Sequence, residues 1–136
     1  METQNKEEFK ATARAHANIA VAKYWGKRDS ELNLPLFDSV AFNVDGLYTE
    51  TTAVWDEEDF RDELIINDWQ VPSHVMGRVK RILDDIRAQV GWSKRCVLRS
   101  TNNFARSSGL ASSASGCAAA ALAASAAAGL KLSEPQ

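Results

Sequence analysis

Residues 101–116 read Thr101-Asn102-Asn103-Phe104-Ala105-Arg106-Ser107-Ser108-Gly109-Leu110-Ala111-Ser112-Ser113-Ala114-Ser115-Gly116, a run rich in small hydroxyl residues and glycine that feeds an alanine-rich segment ending at Gly129. The chemistry such a run can do is anion binding. A loop entering the first turn of a helix leaves backbone N–H groups unpaired and aimed together, with the positive end of the helix dipole behind them. Small side chains let a phosphate approach the backbone, serine hydroxyls add donors, and Arg106 adds a full charge. A plain Ser/Ala/Gly linker is the competing reading. Against it, residues 110–128 are dense in the best helix former and contain no proline, so a helix begins where the loop stops. No Gly-Lys-Ser/Thr follows the glycine, which excludes a Walker loop.

A second cluster, Lys23-Tyr24-Trp25-Gly26-Lys27-Arg28, sets three cations and two aromatics around a glycine. Lys23 directly follows apolar residues and lies in phase with a buried strand face, so its ammonium either turns outward or meets an anion inside. Tyr24 and Trp25 can wall such a site, and Gly26 lets the backbone bend around a ligand. The two cysteines, Cys96 and Cys117, form no CxxC or Cys/His metal pattern and read as reduced thiols of a cytoplasmic protein. His16 falls in the polar phase of its segment and reads as an ordinary exposed histidine.

The elements that must position these clusters follow from periodicity. Residues 9–21 alternate, with apolar side chains at every odd position, as a half-buried strand does. A turn-rich excursion over residues 29–38 follows. Residues 40–44 and 47–55 read as two strands of a hairpin split by Asp45-Gly46. The acidic run 56–59 reads as a solvated turn, residues 64–66 as a short strand, and Asn67-Asp68 as a turn. Ser73 is expected to cap a helix whose apolar stripe is Val75, Met76, Val79, Ile82, Leu83, Ile86 and Val90, stopped by Gly91. Arg78 and Arg81 flank that stripe on the surface, with an arginine there able to reach an anion at the sheet edge. Residues 95–98 form a strand that delivers the chain to the serine-rich loop. The sum is an α+β fold with a mixed sheet.

Composition limits the function. The 136 residues are 45% hydrophobic and 25% charged with a net charge of −2, the make-up of one globular domain with no basic surface for nucleic acid or an anionic membrane. Residues 1–8 read as a flexible N-terminus without the apolar core of a secretory signal, and residues 9–136 as one lobe. No stretch has the length and apolarity of a transmembrane span. Ser133 has the look of an N-cap for a helix that does not follow, so the chain reads as a fragment.

Two separated motif sets carry a resemblance. Asn18-Ile19-Ala20 with Lys23-Tyr24-Trp25-Gly26-Lys27-Arg28 and Leu32-Asn33-Leu34-Pro35, and later Asn102-Asn103-Phe104 with Gly109-Leu110-Ala111-Ser112-Ser113-Ala114, closely resemble the mevalonate diphosphate decarboxylase family. That family belongs to the superfamily of galactokinase, homoserine kinase, mevalonate kinase and phosphomevalonate kinase. The Gly-Leu-Ala-Ser-Ser element indicates only the superfamily; the Lys-Tyr-Trp-Gly-Lys-Arg element points to the decarboxylases. The resemblance implies the N-terminal lobe of the superfamily's small-molecule kinase fold, with a left-handed βαβ crossover that the general right-handed rule would not supply.

It also implies ATP-dependent decarboxylation of mevalonate 5-diphosphate to isopentenyl diphosphate, in isoprenoid biosynthesis, with Mg²⁺ and a homodimer when full length. Lys23 would neutralise charge near the transferred phosphate; Tyr24 and Lys27 would contact the substrate's diphosphate; Trp25 and Gly26 would shape that pocket. Arg78 aligns with an arginine that touches the diphosphate in some members. Asn102, Ser107, Ser108, Gly109, Leu110, Ala111, Ser112 and Ser113 would wrap the nucleotide.

The family's common Asn-Phe-Pro-Thr-Ala-Ala-Gly is replaced here by Asn103-Phe104-Ala105-Arg106-Ser107-Ser108-Gly109, a Ser-Ser-Gly version found among divergent bacterial members. The family's Gly-Ser-Gly-Ser segment and its catalytic aspartate would lie beyond Gln136, so residues 1–136 alone are expected to be inactive. The alternatives are a related small-molecule kinase, a monophosphate-specific decarboxylase, or a non-catalytic anion- or nucleotide-binding module.

Overall fold

A computed structural model of the chain describes residues 9–22, 26–32, 34–35, 40–56, 61–104 and 112–132. The expected strand at the start is β1, Lys10–Ala22. Ala11, Ala13 and Ala15 are half-buried and Ala17 fully buried, while Thr12, Arg14 and His16 are exposed, as the alternation requires. Two short strands, β2 (Lys27–Asp29) and β3 (Leu34–Pro35), form a separate antiparallel pair.

The expected hairpin at Asp45-Gly46 is not there. Residues on both sides of it belong to one strand, β4, Val40–Asp56, which pairs with β1 along its length. His16 pairs with Tyr48 and Ala17 with Val44, so Asp45, Gly46 and Leu47 bulge out of the ladder, with Gly46 at a φ of 87°. The physical reason lies in the phase of the apolar residues. Before the bulge they occupy even positions, Val40, Phe42 and Val44; after it the inward positions are odd, Thr49, Thr51, Ala53 and Trp55. An odd number of extra residues restores the phase against β1 without reversing the chain.

The reversal occurs instead at Asn67-Asp68, whose φ values of 46° and 65° match the turn that joins right-twisted strands. It links β5 (Glu63–Ile66) to β6 (Trp69–Gln70), a strand the sequence reading missed. Ser73 does not cap the helix either. It opens a 3₁₀ turn, Ser73–Val75, and α1 runs Gly77–Val90 from Met76, which makes no side-chain capping bond. Pro72 leads into that 3₁₀ turn, and the turn separates Ser73 from the first helical residue. The stop is as expected: Gly91 is left-handed and its N–H donates to the Arg87 carbonyl. β7 (Arg95–Asn102) extends four residues beyond the expected strand, and α2 spans Ser112–Ala127.

The sheet order is β1-β4-β7-β5-β6, with β5 parallel to β7 across α1 and the other neighbours antiparallel, so the sheet is mixed and the fold α+β. The core joins Ala53, Trp55, Leu64, Cys96 and Leu98 of the sheet to Leu83 and Ile86 of α1 and Ala120, Ala123, Ala124 and Ala127 of α2. Alanine is what lets α2 lie this close. Trp55 Nε1 donates to the Ala124 carbonyl at 2.9 Å, a contact bulkier neighbours would prevent. The opposite face of the sheet is polar: Thr12 bonds Thr52 at 2.7 Å, and Arg14 pairs with Glu50 at 2.9 Å and lies over the Tyr48 ring. Glu50's hydrogen bond is the main reason the Arg14 guanidinium titrates above its ordinary value.

At the end where Trp55 sits, Arg87 is buried. Its guanidinium donates to Asp62, to Asp84 at 2.7 Å and to the Lys94 carbonyl at 2.7 Å, while Asp62 also accepts the Cys96 N–H at 3.0 Å. The clamp ties the last turn of α1 to the starts of β5 and β7 and satisfies a buried charge. Trp92 packs edge-on against Phe9 and Trp55, closing that end.

Candidate functional site

β1, β5 and β7 run in one direction and β4 against them, so β1 and β7 finish at the same end of the sheet. α2 runs back from there: Ser115 sits beside Thr49 and Ala124 beside Trp55. The two chain segments singled out from sequence, the one after β1 and the one between β7 and α2, therefore leave their strands in the same direction, with β1 running seven residues past Ala15, its partner to Thr49. Lys23, Tyr24, Trp25, Ser107, Ser108, Gly109, Leu110 and Ala111 themselves lie outside the described residues, as do the side chains of Ser112 and Ser113.

At that end a cavity of about 740 Å³ opens between the helices and the sheet. Thr49, Ser100 and Asn102 form its sheet side; Gly116, Cys117 and Ala120 of α2 form one wall. Leu64, Ile66, Trp69 and Val71 supply an apolar wall from β5, β6 and the residue that follows β6, and the 3₁₀ turn and first turn of α1 complete it with His74, Gly77 and Arg78. α1 thus begins against the cavity, and α2 lines it from its second turn onward. Neither carries an acidic residue in its first turn, so neither N-terminal dipole is met by a carboxylate from its own helix. Exposed Arg78 adds a guanidinium to the rim. The arrangement suits a ligand with an apolar planar part and an anionic part.

The hydroxyl-bearing floor is built by cross-strand pairing. Thr49 lies opposite Asn102, and Thr51 opposite Ser100, on the inward face of β4 and β7. Thr51 and Ser100 hydroxyls bond at 2.7 Å, Thr49 donates to Asn102 Oδ1 at 2.6 Å, and Ser115 of α2 bonds Thr49 at 2.8 Å. Asn102 is also held by its main chain, whose N–H donates to Asn67 Oδ1 at 3.0 Å. The next residue is clamped too. Asn103 Nδ2 donates to the Gly46 carbonyl at 2.6 Å and Asn103 Oδ1 accepts the Tyr48 N–H at 2.8 Å, so it pins the bulge of β4. The chain entering the serine-rich loop is fixed at Asn102, the last residue of β7, and at Asn103 just after it.

Of the expected site residues the structure brings Arg78 and Asn102 together on one cavity. Gly26 stands at a φ of 119°, a backbone state that favours glycine, and Lys27 is exposed in β2 opposite Pro35. The turn after β2 is tied to the helix that carries Arg78, because Arg81 donates to the Glu31 carbonyl at 2.9 Å. Thr49, Asn67, Trp69, Ser115 and Gly116 were not anticipated as cavity builders. Asn67-Asp68 was legible as a turn, but that it would hold Asn102 depends on partners 35 residues apart. Among the described residues no cluster of three or more His, Cys, Asp and Glu could hold a metal ion, and no helix is long and apolar enough to cross a membrane.

Comparison with known proteins gives a consistent result. The family described as "Diphosphomevalonate decarboxylase-like N-terminal domain" matches residues 15–136. A phosphomevalonate decarboxylase of Haloferax volcanii is 35% identical over 128 residues, 94% of this chain and 40% of that protein. A diphosphomevalonate decarboxylase of Schizosaccharomyces pombe is 36% identical over 130 residues, covering 85% of this chain and 33% of that protein. The solved structure of mevalonate diphosphate decarboxylase from Enterococcus faecalis superposes with a TM-score of 0.83 at 40% identity, over 91% of this chain and 39% of that chain. A structure described as MDDEF in complex with MVAPP, AMPPCP and magnesium gives a TM-score of 0.82 at 40% identity, over 91% of this chain and 38% of that one. The chain thus spans two fifths or less of the length of these relatives.

Proposed function

The chain belongs to the diphosphomevalonate decarboxylase-like N-terminal domain family, and on that premise we propose that it is the nucleotide-binding lobe of an ATP-dependent decarboxylase of phosphorylated mevalonate. The observation that carries the reading is the cavity of about 740 Å³ between the first turn of α1 and Gly116, Cys117 and Ala120 of α2, with Asn102 on its floor and Arg78 on its rim. Its apolar wall of Leu64, Ile66, Trp69 and Val71 suits a nucleobase, and the helix starts suit the phosphates. By the family resemblance, amides of the segment entering α2, the side chains of Ser107, Ser108, Ser112 and Ser113, and Asn102 would hold the triphosphate of ATP.

When bound with Mg²⁺, ATP supplies the phosphoryl group that makes a tertiary hydroxyl of the substrate a leaving group. The chain's own part is electrostatic. Two polyanions must approach each other, and Lys23 would neutralise charge near the transferred phosphate. Tyr24 and Lys27 would bind the substrate's phosphates, Trp25 and Gly26 would shape that pocket, and Arg78 would reach a substrate phosphate. The left-handed βαβ crossover, a single lobe over residues 9–136, a cytoplasmic location and a full-length homodimer complete the proposal.

The leading substrate is mevalonate 5-diphosphate. A second reading, the monophosphate, is favoured by one observation, the similarity to the phosphomevalonate decarboxylase of Haloferax volcanii. The test is to express the longer reading frame and follow ADP and carbon dioxide from mevalonate, its 5-phosphate and its 5-diphosphate. Carbon dioxide with ADP from the diphosphate supports the leading reading, the same products from the monophosphate the second, and ADP without carbon dioxide rejects both in favour of a kinase. In that enzyme Lys23→Ala is expected to lower turnover far more than it weakens nucleotide binding.

A further inference from the structure

Asn102 reaches the cavity with its carboxamide already engaged. Thr49 is 1% exposed and its single hydroxyl proton goes to Asn102 Oδ1 at 2.6 Å. The Ser115 hydroxyl, also 1% exposed and 2.8 Å away, is then the donor to Thr49. The chain of bonds runs in one direction, from α2 through β4 to β7. With Oδ1 turned to Thr49, what Asn102 offers the cavity is the N–H side of its amide, a donor suited to a ligand oxygen. Buried hydroxyls cost free energy unless bonded, and these two are bonded to each other and to Asn102, so they specify a direction that an apolar pair would leave open.

We propose that Thr49 and Ser115 are positioning residues, whose hydroxyl relay from α2 holds the Asn102 carboxamide with its N–H donors toward an acceptor oxygen of the bound nucleotide. This rests on the nucleotide reading of the cavity. The relay also couples the two elements on either side of the serine-rich loop. Asn102 ends the strand before that loop, and Ser115 lies in the first turns of the helix after it. A ligand that tightens one end of the loop thereby meets the other already in place.

The test is a double-mutant cycle on the full chain, with Mg²⁺·AMPPCP as the probe and binding read by calorimetry. Thr49→Val is expected to weaken binding about ten-fold, Ser115→Ala about three-fold, and Thr49→Ser to restore the parent affinity. In the Asn102→Ala background the Thr49→Val change is expected to have no further effect. A merely structural Thr49 would cost the same in both backgrounds, and that result, or no loss at all, overturns the proposal. Thermal melts confirm that each variant is folded.

A second readout uses no nucleotide. The ¹⁵N signal of the Asn102 side-chain amide is expected to show restrained motion in the parent chain, loosened in Thr49→Val and recovered in Thr49→Ser. Unchanged amide motion overturns the relay. If the parent chain fails to bind Mg²⁺·AMPPCP, the nucleotide reading falls, and the amide signal alone still decides whether Thr49 and Ser115 orient Asn102.

Discussion

The inward face of β4 and β7 has two ends built on opposite terms. At one end Ala53 faces Leu98 and Trp55 faces Cys96, with the alanines of α2 against them and the Arg87–Asp62 pair sealing the edge. At the other, two ladder steps away, Thr51 faces Ser100 and Thr49 faces Asn102, and the sheet parts from α1 to leave a cavity of about 740 Å³. The same two strands and the same helix serve both. The closed end carries stability through excluded water and close contact; the hydroxyl end gives up apolar burial for oriented donors facing open space. Binding and folding are therefore separable by mutation along one ladder.

The largest effect is expected at the closed end. Arg87→Ala removes the guanidinium that pairs with buried Asp62 and should destabilise the chain by about 3–5 kcal/mol, measured by denaturant unfolding. Leu83 is fully buried in the same core, and Leu83→Ala should cost about 2–5 kcal/mol by the same measurement. Neither change should alter the affinity of the remaining folded chain for Mg²⁺·AMPPCP; a specific loss of affinity in either would blur the division.

The hydroxyl end predicts a change of opposite sign. Gly116 lies inside α2 on the cavity wall, and a Cβ built there meets nothing within 4 Å. Gly116→Ala should stabilise the helix by up to about 1 kcal/mol while the added methyl intrudes on the ligand and lowers affinity. A thermal melt and a binding titration on the same sample check both halves. If stability rises and affinity is untouched, α2 is not a wall of the site.

The smallest effect concerns pH. Asp84 titrates below its ordinary value, chiefly because Lys80 hydrogen-bonds it at 2.8 Å, with Lys80 and Arg87 charges adding to this. A carboxyl whose folded value is depressed contributes stability above the ordinary carboxylate range and loses it as pH falls through the folded value. The pair is largely exposed, so Asp84→Asn should cost only about 0.5 kcal/mol at neutral pH and progressively less as the solution is acidified. Parallel denaturant unfolding curves at neutral and acidic pH measure it. A cost that stays constant on acidification would mean that Asp84 acts by packing and not by charge.

What was legible in the sequence follows the range of the interactions. The alternation before Ala22, the α1 stripe from Val79 onward with its Gly91 stop, and the alanine-dense helix are local signals that formed where expected, whereas Val75 and Met76 fall before α1. Asp45-Gly46 was misread because a two-residue signal cannot distinguish reversal from a bulge. The switch of apolar residues from even to odd positions across it was the available clue. Ser73 was misread because a 3₁₀ turn intervenes before the helix. Arg87 hides in the last turn of a helix, where a cation is ordinarily a solvated partner of the dipole, and only Asp62, 25 residues away, makes it a clamp. Thr49 and Ser115 are 66 residues apart, and nothing in either neighbourhood announces their bond.

Polyphosphate binding in the cavity between Gly77 and Arg78 of α1 and Gly116 and Cys117 of α2 is the prediction on which the proposed function rests. It is tested most directly by adding Mg²⁺·AMPPCP to the ¹⁵N-labelled chain and following the backbone amide signals. Shifts concentrated at Gly77, Arg78, Asn102, Gly116 and Cys117, with Trp55, Arg87 and Trp92 unmoved, are the predicted result. Shifts confined to the closed end, or none at millimolar ligand, would contradict it.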